Sequence, residues 1–162
     1  MSQITELRDL VFAAHDKAAR RANTSTQVIC AAFDSNGGQL LPAIVAGLMT
    51  LGGRHGPIVQ AYEVLQNGPG DDPIPGWGNS FVKGKPDPIW EEVDSMLVDH
   101  YANMWMLIQN ITNSLHERGK VVYPNAACYT AAYAIIARID ANMAPGVFLA
   151  SRLGAWYSML ES

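Results

Sequence analysis

Apolar residues recur at intervals of three and four along almost the whole chain and alternate nowhere over any length, so helices are the regular structure this sequence is built to form. Ile4, Leu7, Val11, Ala14 and Ala18 make one such stripe over residues 3–20, with Thr5 placed to cap its start. NTSTQVICAAF offers Ser and Thr as cap oxygens ahead of an apolar run; a second helix is expected from residues 24–26 to the turn at Asn36, Gly37 and Gly38. LLPAIVAGLMTL is apolar nearly all round, which predicts burial on most sides, as a central core helix or a dimer seam. Gly52, Gly53 and Gly56 flank Arg54 and His55, and the amphipathic run PIVQAYEVLQ follows, so His55 stands at or just before a helix N-terminus.

The helical pattern breaks over residues 67–88. NGPGDDPIPGWGNSFVKGKPDP repeats Gly and Pro, which end helices and set tight turns, and a shaped loop of this length inside a compact domain is often functional. Helical spacing returns from Ile89 to Glu117, where Trp90, Val93, Met96, Leu97, Tyr101, Met104, Leu107, Ile108, Ile111 and Leu115 read as packing positions. VVYPNAACYTAAYAIIARI starts a further apolar helix, and a last one is expected over residues 145–160. The fold class is all-α.

Composition narrows the function classes. A hydrophobic fraction of 49% with 16% charged residues is rich for a solvated monomer, so a subunit interface, in the form of a homodimer, is expected. The formal net charge of −4 and the scattered Lys and Arg supply no broad cationic face for a phosphate backbone, and nucleic acid is not an expected partner. Acids precede the short apolar run at the N-terminus, no small-residue cleavage site follows it, and no apolar stretch reaches the roughly 18 residues of a membrane span. A cytoplasmic protein without a membrane partner is expected. Cys30 and Cys128, far apart in apolar helical contexts, read as buried reduced thiols, with neither a disulfide nor a metal site.

Four segments, in order and at similar intervals, resemble citrate synthase and its relative citryl-CoA lyase. NTSTQVICAAFDSNGGQLLPAIVAGLMTLGGRHGP is similar to the family's Asn-x-Ser-Thr, two helices and glycine-flanked His-Gly. IPGWGNSFVKGKPDP resembles the loop Pro-Gly-(Phe/Tyr)-Gly-His, a basic residue and Asp-Pro-Arg; YPNAACYTAAY resembles Pro-Asn-Val-Asp opening a helix; ASRLGAW resembles Ala-Arg-x-x-Gly-Trp on the final helix. The match covers about residues 22–162 and corresponds to the family's C-terminal half. It implies a citrate-synthase-like multi-helical domain. Residues 1–66 and 121–162 would form a large-domain-like core, and 67–120 a small-domain-like loop and helices, in one compact unit.

The resemblance also implies a chemistry in which a carbon–carbon bond forms or breaks between acetyl-CoA and an oxaloacetate-like keto acid. That chemistry needs a base for an α-proton, a donor for the enolate oxygen and a donor to polarise the keto group. His55 falls on the enolate-stabilising histidine, and a helix N-terminus suits a neutral imidazole that donates one hydrogen bond. The second catalytic histidine, after Gly78, is Asn79, and an amide cannot deliver a proton. The general base is Ala127, which cannot accept one. The arginine of Asp-Pro-Arg is Ile89 after Asp87 and Pro88, with one extra residue between Asn79 and Asp87, and the family's upstream keto-acid histidine falls at Arg20. Arg152 matches the arginine that binds a substrate carboxylate, with a structural ion pair as its rival role.

The coenzyme A side of the motif set is retained. Ile74, Pro75, Gly76, Trp77, Gly78 and Asn79 keep the loop whose backbone the family presents to adenine, and Lys83 and Lys85 stand as candidate phosphate contacts. Three functions follow from these residues. The first is a degenerate family member that binds coenzyme A or an acyl-CoA, without a metal and without normal citrate synthesis. The second is an acyl-CoA lyase or hydrolase with altered catalytic residues, using His55 with a rebuilt partner, in which Cys128, beside the lost aspartate, is the obvious new nucleophile. The third is a protein-interaction module, of phage or mobile-element type, that reuses the fold as a dimer and a surface.

Overall fold

The computed structural model describes residues 1–21, 24–50, 57–71 and 73–161. Eight α-helices occur among them: α1 (Gln3–Ala19), α2 (Thr24–Ser35), α3 (Leu40–Met49), α4 (Pro57–Asn67), α5 (Glu91–His100), α6 (Ala102–Glu117), α7 (Ala126–Ile136) and α8 (Pro145–Glu161). Short 3-10 turns lie at Pro88–Trp90 and Ala141–Met143. A single bridge between Trp77 and Pro124 is the extent of strand pairing among the described residues, so the all-α expectation holds.

The cap of α1 lies three positions before its expected place. Ser2, not Thr5, is the N-cap, and its Oγ accepts from the Thr5 backbone N–H at 3.3 Å. The buried face of α1 is Leu7, Val11, Ala14, His15 and Ala19, and Ile4 is left exposed. Helix α2 runs over the residues its caps predict, and its Ser and Thr act across the fold: the Thr26 hydroxyl donates to the Ala19 carbonyl at 2.6 Å, and Thr50 donates to Ser25 Oγ at 2.6 Å. The helical stretch expected from Ile89 to Glu117 is broken. Asp87 and Pro88 open a 3-10 turn, and Tyr101 leaves helical geometry (φ −136°, ψ 51°) between α5 and α6.

Helix α3 departs furthest from its pattern. Only Ala43 and Gly47 are buried, whereas Leu41 is 75% and Met49 82% exposed, so it is not a central core helix. Its contact with α2 and α8 is made through small residues. A Cβ on Gly47 would collide with Ile29 and meet Trp156, and the same contact forms a small second core of Ala19, Ile29, Ala43, Ala155 and Trp156.

The central position belongs to α7, whose residues from Ala127 through Ala134 are all buried. Its alanines bring neighbouring backbones close: α4 packs along it, α1 crosses it, and α8 lies against both α1 and α7. The main core joins side chains from α1, α4, α5, α6, α7 and α8, including Leu7, Ala61, Leu97, Ile111 and Ala131. Cys128 is fully buried at this center, whereas Cys30 is half-buried on α2; both are free thiols. No helix among the described residues is long and apolar enough to cross a membrane.

Candidate functional site

The loop before α5 is fastened to the start of α7 rather than hanging in solvent. The Gly78 N–H donates to the Tyr123 carbonyl at 2.9 Å, and the Asn125 N–H donates to the Gly76 carbonyl at 2.9 Å. The Asn125 side chain works both ways, donating to the Gly78 carbonyl at 2.7 Å and accepting from the Ala127 N–H at 2.9 Å as the cap of α7. Gly76 (φ 96°) lies so close to the helices behind it that a Cβ would come within 3.1 Å of Ala61 Cβ and 3.3 Å of Cys128 Cβ. Ile74 and Trp77 turn inward, 5% and 8% exposed, and the indole N–H of Trp77 donates to Thr112 at 2.9 Å.

This fastening leaves a cleft of about 310 Å³, at the small end of ligand-sized pockets, which run from about 300 to 1,000 Å³. One wall is the loop, with Gly78, Asn79, Lys83, Lys85 and Asp87; the other is the apolar segment of Val121, Val122, Tyr123 and Pro124. His116 supports that second wall, with Nε2 2.9 Å from the Val122 carbonyl and its ring edge-on to Tyr123. Lys83 and Lys85 are exposed and form no ion pair among the described residues. Of the residues 74–79, Gly78 and Asn79 reach the cleft, Pro75 is half-buried, and Ile74, Gly76 and Trp77 are buried in the core without lining it.

Asn79 is committed to the loop itself. Its Oδ1 accepts from the Phe81 N–H at 2.8 Å, and its Nδ2 donates to Asp87 at 2.7 Å. Asp87 is buried and receives both arms of Arg21, at 2.6 and 2.7 Å. Burial pushes the Asp87 carboxyl up, but the Arg21 hydrogen bonds, the Ile89 N–H, the Arg21 charge and the Asn79 amide outweigh it and hold it below the usual carboxylate range. Arg21 is raised in turn, first by its bond to Asp87.

Arg152, on α8, is 5% exposed and stacks on the Phe148 ring at 4.8 Å. No described residue accepts a hydrogen bond from its buried Nε or pairs with its charge, so the ion pair weighed from sequence is not formed among them. Burial, and then the nearby Arg21 charge, bring its pKa down to about 10. Ala127, the second residue of α7, sits 9% exposed beside the loop's anchor Asn125. Arg20 points to solvent and pairs with Asp16 at 3.0 Å. His55 lies outside the described residues, although the helix expected after it does begin at Pro57.

The structure thus gathers Asn79, Asp87 and Arg21 into one hydrogen-bonded group, sets Lys83 and Lys85 on the adjoining cleft, and leaves Arg152 related to the group only through the charge of Arg21. Sequence reasoning missed Arg21. It stands beside Arg20, its partner is 66 positions away, and the only local signal was Asp87 before Pro88, which reads as a cap. Cys128 is a poor nucleophile: burial, and then the Asp94 charge, push its thiol far up. No group of three His, Cys, Asp or Glu able to hold a metal occurs among the described residues.

No protein-family model and no curated protein matches this sequence. Among solved structures, citryl-CoA lyase from Hydrogenobacter thermophilus superposes with a TM-score of 0.81 over 99% of this chain and 69% of that one, at 17% identity. The chain therefore has the citrate synthase/citryl-CoA lyase fold, and α1, ahead of the motif-bearing residues, belongs to it as well.

Proposed function

We propose that this protein is a degenerate relative of citrate synthase and citryl-CoA lyase that binds coenzyme A or an acyl-CoA, and a small carboxylate, without normal citrate synthesis. The carrying observation is the cleft, where two exposed lysines face an apolar wall on a glycine loop held in one shape by Asn125. An apolar wall suits a purine face and the two ammonium groups suit phosphates, so the residues present fit the nucleotide end of coenzyme A. Arg152, with its donors unspent, supports the carboxylate contact.

The chemical end supports the degenerate reading. Ala127 presents a methyl where a base would be needed, and Asn79 spends its amide on Phe81 and Asp87. Losing one general base alone costs about 10² to 10⁴ in rate. A hydrolase built on Cys128 is disfavored by the burial of that thiol. A homodimer belongs to the same proposal, because the exposed apolar residues of α3 need covering.

Calorimetric titration of the full chain with coenzyme A and acetyl-CoA tests the reading. Binding is expected, and Lys83→Ala combined with Lys85→Ala should weaken it by about 10- to 100-fold, the loss of charge-assisted contacts to phosphate. No binding at millimolar ligand would sink the proposal. Brisk formation of citrate from acetyl-CoA and oxaloacetate would sink its degenerate half.

A further inference from the structure

Two arginines, Arg21 and Arg152, lie close enough for their charges to interact, and they are used differently. Arg152 is nine-tenths buried, with Phe148 covering one face of its guanidinium and no described residue accepting from its in-plane N–H groups. A buried cation with unspent donors carries a large desolvation cost that an anion would offset. Arg21 is near enough for its charge to act on Arg152, yet it is gripped by Asp87 in a two-armed pair at 2.6 and 2.7 Å. That is the geometry a ligand carboxylate takes on an arginine.

Asp87 is built to stay in that place. Its side chain is 3% exposed, Asn79 Nδ2 donates to it at 2.7 Å, and the Ile89 N–H donates to it at 3.3 Å at the head of the 3-10 turn. We propose that Asp87 is a built-in carboxylate: it withdraws Arg21 from ligand binding, so the site takes ligands with one carboxylate and turns away dicarboxylates. The inference rests on the reading of Arg152 as a ligand contact. A second carboxylate would find Arg21 already engaged and would meet Asp87 across it, a like-charge juxtaposition that costs affinity.

The test is titration of the full chain with pyruvate, which has one carboxylate, and oxaloacetate, which has two, on the wild type, Asp87→Asn and Arg152→Met. The wild type should bind pyruvate about tenfold or more tightly than oxaloacetate, and Arg152→Met should lose both. Asp87→Asn retains an oxygen for the Ile89 N–H and should gain oxaloacetate affinity by tenfold or more. Should that variant fail to fold, the wild-type preference decides alone. Equal or tighter binding of oxaloacetate by the wild type overturns the role of Asp87 while leaving Arg152 standing. Failure of the wild type and Asp87→Asn to bind either anion, or pyruvate affinity unchanged in Arg152→Met, overturns the reading of Arg152 itself.

Discussion

Asp94 and Asp87 are both withdrawn from water, and they titrate in opposite directions because, among the described residues, only Asp87 is paired with a cation. At Asp94 burial raises the carboxyl, and the hydrogen bond from the Tyr129 hydroxyl at 3.2 Å does not offset it. A raised folded pKa means that the folded chain holds this proton more tightly than the unfolded one. Stability from Asp94 is therefore fullest below the unfolded value of about 3.9 and is withdrawn as pH rises through the folded pKa. Asp94→Asn keeps an oxygen for Tyr129 and removes the charge. It should melt higher than the wild type at pH 7 by about 1–3 °C, a gain kept small by solvent screening at a half-exposed site, and the difference should close near pH 4. A variant that melts lower at pH 7 would show that the Asp94 charge is useful. Asp87 runs the other way: its depressed carboxyl supplies stability above about pH 3.9 that is lost as pH falls through its folded pKa.

Helix α7 and the loop on its N-terminus act as one element, and the close approach at Gly76 is what joins them. An alanine there would need a left-handed backbone at φ 96° and would press its Cβ on Ala61 and Cys128, so the strain and the overpacking add. Gly76→Ala should cost about 2–3 kcal/mol in urea unfolding and weaken coenzyme A binding by tilting the cleft wall; unchanged stability would mean that the loop is not fastened as described. The elements themselves were legible. Asn125 ahead of an alanine-rich run, the Asn36 to Gly38 turn and the Gly/Pro segment all act locally, and local chemistry is what a sequence displays. Which helix takes the center was not legible by hydropathy. The run of α3 is more apolar in its large side chains than α7, but alanines allow helices to approach, and Leu41 and Met49 stand in solvent instead. The same limit hid half the candidate site: Lys83, Lys85, Asn79 and Ala127 are placed by motif, whereas the Arg21–Asp87 pair exists only once distant segments meet.

At the scale of the whole molecule, the unresolved demand is the outer face of α3. Leu41, Val45 and Met49 follow one another at intervals of four, which aligns them on one stripe of a helix, and they are 75%, 53% and 82% exposed. Leu40 and Leu48 flank the stripe at 37% and 36%. The inner side of α3 is held by Gly47 and Ala43, so the stripe is presented rigidly instead of being folded inward. With 49% of the sequence hydrophobic and 16% charged, covering such a stripe by a second copy of the chain is the economical solution, and a two-fold axis would lay like residues on like. A stable contact of this kind needs roughly 800 Å² per chain, more than the stripe alone offers, so neighboring surface must join it. Sedimentation of the wild type at micromolar concentration should give twice the 17.6 kDa of one chain. Because Leu41 and Met49 are already exposed within one chain, replacing both by Glu should leave helix content unchanged while placing charge in the seam, and the particle should fall to the mass of one chain. A wild type that sediments at 17.6 kDa would remove the dimer and leave α3 as a face seeking a different protein, for which the apolar stripe would then be the place to look.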